Sequence, residues 1–482
     1  MYAGTNGKYK VAIGYHALKT ATDGSYQIAI GFEAMKSTTT GTANTMIGYR
    51  SGHNHTTGVG NTCLGYASLY SITEGARNTA IGHNTCSSIT DGGHDNTALG
   101  YGALTWNNNG DNNTALGSNA LINNTTGSDN VAVGYESLAT NTTASNNTAV
   151  GRRALYLNTT GLHNQAVGNY ALQSCTTGSY NIGLGYNALG GVTTENYNVA
   201  IGDAALEACT ASNNTGVGHR ALYVNTTGTY NVALGAECLD HNTTGASNTA
   251  VGYSALDANT TASNNTAIGI QALGATTTGA NNTALGAGSG AALTTGSTNT
   301  LIGYQACDTL TTGSDNVCIG ENAGSGQLTT ASNWLYIARS NTAYHNAATW
   351  IAGGPSGQCL QGNNESHWET TSDSRLKKNI VDSSRGLAEI DQIRVANFEY
   401  RTREEIDMND FPLANGPHQV VIGEGNEGVH TGIIAQELEA ILPECVNTNH
   451  LGAKSVKEGP LIWALVNAVK ELSAKVKALE AG

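Results

Sequence analysis

The sequence predicts a mainly β chain, a long solenoid of short stacked turns followed by a smaller segment that ends in a helix. Three observations predict it. From Lys10 to about Asn333 one 17-residue phrase recurs. Within each phrase a fixed slot holds Val, Ile or Leu and the next holds Gly. After residue 354 the composition changes: all five prolines lie there, and the last 122 residues hold twelve Lys or Arg against ten in the first 360.

The phrase reads "NTALGSNALINNTTGSD" from Asn113, "NVAVGYESLATNTTASN" from Asn130 and "NTAVGRRALYLNTTGLH" from Asn147. The leading Asn, taken as slot 0, recurs from Asn44 to Asn333, with one spacing of 18 and one of 16. Lys10 and Gln27 carry the phase backward, giving nineteen units before a degenerate one. Slot 3 is Val, Ile or Leu (Ile13, Leu99, Val150, Leu234, Ile302), slot 4 is Gly, and slot 8 is Leu in most units. "NTAVG" and "YESL" therefore read as two short strands around a Gly corner. "NTTG" forms a second corner. One unit cannot bury its few apolar side chains, but stacked units can, in one continuous column. Units this short and this rich in Gly and Thr exclude helical repeats. The leading Asn is expected to ladder its amide from coil to coil. At ~4.8 Å per coil the nineteen units would extend roughly 90 Å.

At 482 residues the chain exceeds one ordinary compact domain. Its net charge of −14 argues against nucleic acid and anionic membrane surfaces as partners. No apolar run approaches a membrane span, and no secretory signal is visible at the start. The nine cysteines are scattered without CxxC spacing and read as buried, reduced hydrophobes. Cys63 and Cys318 share one slot, Cys86 and Cys307 another. The thirteen histidines fall in differing slots, so no metal or other cofactor is expected.

Chemistry within the rod has few candidates. Tyr15, Tyr49, Tyr66, Tyr101, Tyr135, Tyr186, Tyr253 and Tyr304 share slot 5, as a ladder for sugars or host protein or, the favoured reading, as a cover for the coil corner. Glu33, Glu136, Asp203 and Glu237 stand alone in sequence, so no carboxylate pair for glycoside hydrolysis is evident. Pairs across coils keep a polysaccharide depolymerase open as an alternative. Trp334, Tyr336, Trp350 and Trp368 follow the last coil and suit a cap over its apolar end, or a tip that contacts a receptor.

"NTAVGYSAL" and "NVAIGDAAL" resemble the head repeats of trimeric adhesins. The resemblance implies a left-handed parallel β-roll in a homotrimer, covering about two-thirds of the chain. The Ala-rich flank (Ala115, Ala149, Ala250) fits either a close subunit contact or a simple core.

"SDSRLKKNI", then "LAEIDQIRVANFEYR", "TGIIAQELEAILPECV" and "SVKEGPLIWALVNAVKELSAKVKALE" resemble in that order the self-cleaving intramolecular chaperone domain of phage tail spikes and fibres, endosialidases included. The resemblance implies an α-rich chaperone with Ser372 as nucleophile, Lys377 as its dyad partner and Arg375 completing the motif. Cleavage is expected at Ser372–Asp373, with Thr371–Ser372 the alternative. Gln436 and Glu437 belong to the "Gly-x-Ile-Ala-Gln-Glu" signature, read as structural. A serine needs a base, and lysine serves only where burial or a neighbouring cation lowers its pKa. The activity is thus a single turnover in cis. Leu461, Leu465, Val469, Leu472, Val476 and Leu479 follow spacings of four and three, the seam of a short coiled coil.

The expected organisation is a shaft over 1–333, a connector over 334–371 and a chaperone over 372–482. The expected role is host attachment by a virion tail fibre, assembled in the host cytoplasm. Its expected partners are its own copies, a host-surface glycan or protein receptor, and other tail proteins, with no membrane insertion. A bacterial surface adhesin is the further alternative.

Overall fold

The computed structural model describes residues 7–88, 93–338, 349–354, 359–361, 383–399, 409, 429–448 and 454–481. The chain divides into two compact units, Met1–Trp368 and Glu369–Gly482.

The first unit is the solenoid. Each coil contributes one strand of three or four residues, β1 (Lys10–Ile13) through β19 (Val317–Ile319). Each strand pairs in parallel with the next, shifted by one turn: Ala132 lies over Ala149, and Ala149 over Ala166. After the last coil, β20 (Leu335–Ala338) continues the parallel ladder. It then pairs antiparallel with β21 (Thr349–Gly353), which pairs antiparallel with β22 (Cys359–Gln361). Tyr336, fully buried, occupies the position filled by Ala in most coils, and Trp334 packs against the same core.

The asparagine ladder is present and fixes which way each strand faces. The Nδ2 of Asn130 donates to Oδ1 of Asn113 (3.1 Å) and to the carbonyl of Ala144 (2.9 Å), and its backbone N–H donates to the same Oδ1 (3.1 Å). Asn130 must therefore point inward. Strand alternation then sends slot 2 inward and slots 1 and 3 outward. So Ala132 is buried, together with Leu138 and Asn141, while the slot 3 aliphatics are half exposed, Leu64 at 49% and Leu285 at 46%. The Ala flank is core: Ala115, Ala149 and Ala250 are fully buried. The conspicuous Val/Ile/Leu slot is the outer face of the strand.

The second stretch of each coil is not a strand. Its backbone alternates in handedness: in the coil from Asn130, positive φ recurs at Gly134 (130°), Glu136 (55°) and Leu138 (49°). The stretch is still hydrogen-bonded between coils, Glu136 N–H to Ser118 O (3.0 Å) and Leu138 N–H to Ala154 O (3.0 Å). An unfavourable left-handed leucine recurs because burial and this ladder offset its backbone cost. Slot 4 is Gly for two reasons. At Gly151 φ is 132°, and a Cβ there would lie 2.5 Å from the carbonyl oxygen of Gly168 in the next coil.

One expectation about cysteine is corrected. Cys307 and Cys318, in slots 8 and 2 of adjacent coils, form a disulfide across the core. The slot 8 position of the second coil is Gly324, where a Cβ would lie 2.6 Å from Cys307 Sγ. Cys63, Cys86, Cys175, Cys209, Cys238 and Cys445 are buried free thiols, and burial pushes Cys63 and Cys175 up to about 12.

In the second unit α1 (Leu387–Ile390) precedes β23 (Val395–Phe398), which pairs antiparallel with β24 (His430–Ile433). Then follow α2 (Ala435–Ile441), a short turn of 3₁₀ helix, the antiparallel pair β25 (Val446–Thr448) and β26 (Lys454–Val456), and α3 (Glu458–Glu480). Ala435, Leu438, Leu442, Cys445, Val446 and Ala464 form its buried core. No described helix is long and apolar enough to cross a membrane.

Candidate functional site

Ser372, Asp373, Arg375 and Lys377 lie outside the described residues. The described part of the second unit begins at Ser383 and is held to α3 at once. The carbonyl of Arg385 accepts from Asn467 Nδ2 (3.0 Å), and Leu387 N–H donates to Glu471 Oε2 (3.1 Å). Arg385 also pairs with Glu444 (2.9 Å).

The signature residues sit where β24 turns into α2. Ile434, in extended conformation, precedes the helix, so Ala435 and Leu438 face the core while Gln436 and Glu437 face out. Glu437 accepts two hydrogen bonds from Arg394, Nη2 at 2.7 Å and Nε at 3.0 Å, which ties α2 to the segment before β23. Gly432 lets β24 lie against Phe398: a Cβ there would be 3.3 Å from the ring. Gln436 lines an open, largely apolar cleft of about 660 Å³ with Phe398, Ile434, Lys454, Val456 and Leu461. Sequence reasoning gave no sign of this cleft or of the Arg394 partner.

On α3 the seam residues divide. Leu461 packs into the unit's own core. Leu465 (49% exposed), Val469, Leu472, Val476 and Leu479 remain exposed on the helix.

In the solenoid, slot 5 forms a continuous stack of six rings: Tyr15, Phe32, Tyr49, Tyr66, His83 and Tyr101. Successive centroids lie 4.7–5.3 Å apart and the planes within 19° of parallel. Stacking on a sugar needs a free ring face. Here each inner ring has both faces covered by its neighbours, so the stack offers edges and hydroxyls to solvent. Beside it the buried Glu33 carboxylate accepts from Lys36 (2.7 Å) and Arg50 (2.9 Å). The Lys36 hydrogen bond, with Arg50 behind it, outweighs burial and holds the carboxyl down at about 2.

The coil stacking also brings acids together that are separate in sequence. Asp240 and Asp257, one turn apart in slot 9, flank His241, with Glu237 beside them. His241 Nδ1 lies 3.2 Å from Asp257 Oδ1 and 4.0 Å from Asp240 Oδ2. Burial, with Asp240 and Glu237 nearby, raises the Asp257 carboxyl despite its hydrogen bond to His241.

Residues 372–447 match the family model described as chaperone of endosialidase. No curated protein and no solved structure matches the chain. With a β-solenoid of about 19 turns ahead of that segment, the chain fits a tail fibre or endosialidase-type protein.

Proposed function

We propose that this chain is a homotrimeric tail fibre for attachment to a host surface, whose C-terminal domain drives trimerisation and folding and then removes itself by cleavage next to Ser372. The observation that supports trimerisation best is the unbroken slot 3 stripe. Ile13, Leu64, Leu99, Val167, Ile201, Leu234, Ile268, Leu285 and Ile319 are each at least 37% exposed on the outer strand face of the single chain. An apolar stripe repeated at every coil marks a surface that a partner covers. The exposed seam of α3 points the same way and would set three chains in register before their slow, non-local strand pairing begins.

In this reading the Ser372 hydroxyl attacks the carbonyl of the scissile bond as Lys377 takes its proton. Lys377 returns that proton to the departing amide nitrogen as the C–N bond breaks, and water hydrolyses the ester left on Ser372. Arg375 helps keep Lys377 neutral. The dyad becomes competent on assembly, so cleavage reports a completed trimer. Attachment is to a glycan or protein receptor on the host, and other tail proteins join the fibre to the virion after assembly in the host cytoplasm.

Boiled and unboiled gel samples of the wild type beside Ser372→Ala test both parts. We expect a trimer in each unboiled lane. The wild type should also lose the segment after Ser372, a loss abolished by the substitution. A monomer in the unboiled lanes would overturn the trimer, and an uncleaved wild type would overturn the self-processing.

A further inference from the structure

A coil repeat turns a sequence spacing of 17 into a contact between neighbouring rungs. Two acids one turn apart in the same slot therefore stand one above the other, an unfavourable arrangement unless a cation intervenes. Among the described residues of the solenoid, Asp240 and Asp257 are the one such pair. Arg220 neutralises part of this charge, donating from Nη2 to Asp240 Oδ2 at 3.0 Å. That leaves Oδ1 of Asp240, a residue only 4% exposed, buried and without a hydrogen-bond partner. Buried carboxylate oxygens ordinarily have partners, so Asp240 is short of one, while its Oδ2, shared with Arg220, is the oxygen that stands 4.0 Å from His241 Nδ1.

One ligand atom from each of Asp240, His241 and Asp257 lies within 4.8 Å of the others. Bonds of about 2.0–2.2 Å from Zn²⁺ to N and O place tetrahedral ligands roughly 3.3–3.5 Å apart. His241 Nδ1 and Asp257 Oδ1, 3.2 Å apart, come close to that spacing, and Asp240 Oδ2, 4.0 Å from the ring, would have to turn from Arg220 to complete it. Two carboxylates with one imidazole suit a borderline cation better than Ca²⁺ or Mg²⁺, which prefer all-oxygen sets.

We propose that Asp240, His241 and Asp257 form a binding site for a divalent first-row transition cation, Zn²⁺ the best fit. Three protein ligands leave a fourth position open beside a cleft of about 460 Å³ that Glu237 and Asp257 line. The ion would staple two successive coils together and relieve the stacked acids.

The test is calorimetric titration of the chelator-stripped, full-length chain with ZnCl₂, for the wild type, His241→Ala, Asp257→Asn and Arg220→Gln. His219→Ala, at another exposed solenoid histidine, is the control. We expect a single site, weakened in His241→Ala and Asp257→Asn by more than the roughly 10–100-fold that loss of an outer partner costs. The site should persist in the control. It should tighten several-fold in Arg220→Gln, because that guanidinium competes for Asp240. Absence of binding, or binding that His241→Ala and Asp257→Asn leave unchanged, would overturn the proposal.

Discussion

His55 occupies slot 11, where many coils have a buried Asn, and it is fully buried with Nδ1 3.1 Å from Thr38 Oγ1. Burial disfavours its charged form and lowers its pKa to about 4. In the unfolded chain the imidazole titrates near 6.5, so between pH 6.5 and 4 the unfolded state binds a proton that the folded state refuses. The stability held above pH 6.5 is therefore lost progressively toward pH 4, by about 3 kcal/mol, and levels off below. Glu33 acts lower on the scale: its depressed carboxyl contributes above about pH 4.5 and is lost as the pH falls toward 2. We predict that His55→Asn removes the decline between pH 6.5 and 4 without touching the lower one. Hydrogen exchange of the coils around residue 55, followed from pH 7 to 4, reads this out, and an unchanged slope in the variant would refute the assignment.

The asparagines of the "NTTG" corner form a second ladder that the sequence reading did not foresee. Asn124 Nδ2 donates to Asn107 Oδ1 (2.7 Å), Asn141 to Asn124 (2.8 Å) and Asn158 to Asn141 (3.0 Å). The next rung is Cys175, whose thiol turns to the Gly178 carbonyl, so Asn158 Oδ1 is left buried and unpaired. Asn259 ends a second run in the same way before Thr276. Ladder position therefore sets energy: Asn141→Ala strands both the Asn124 acceptor and an Asn158 donor, whereas Asn158→Ala strands one acceptor and deletes an orphan. We expect Asn141→Ala to cost more, by about 1–2 kcal/mol, in chemical denaturation. Equal losses would show that the rungs act independently. The period, the Gly corner and the first ladder were legible because each repeats one residue type in one slot. The strand's facing was not, because its inward partner is a small Ala and its outward one a large aliphatic, the reverse of the usual cue. The left-handed turn at slots 6 and 8 did leave a trace: Gly102 and Gly288 stand in the first and Gly52 and Gly290 in the second, all at positive φ. In the C-terminal unit the signature around Gln436 and Glu437 was legible by resemblance alone, and the Arg394 partner, 43 residues earlier, was not. The Asp240–Asp257 pair was hidden because acids were read along the chain instead of across the turns.

For the whole molecule, the slot 3 stripe decides between a free-standing rod and one that needs its copies. Half-exposed aliphatics at successive coils offer about 1 kcal/mol each on full burial, a gain that grows with the number of coils. Summed along the solenoid this exceeds the stability of an ordinary domain. A charge placed in the stripe separates folding of one coil stack from association of several. Val167 and Ile201 are 39% and 40% exposed in the single chain, so an Asp at either position keeps its hydration and the core beneath is untouched. At an interface between three copies the same carboxylates would be buried close to one another without partners, at a cost of several kcal/mol each. We predict that Val167→Asp combined with Ile201→Asp preserves the β circular dichroism signal and converts the proposed trimer to monomer in analytical ultracentrifugation. Asn146→Asp combined with Asn264→Asp, on exposed corners of two coils, adds the same two charges and should leave the proposed trimer intact. A double variant that sediments as a trimer would place the contact on another face of the coil.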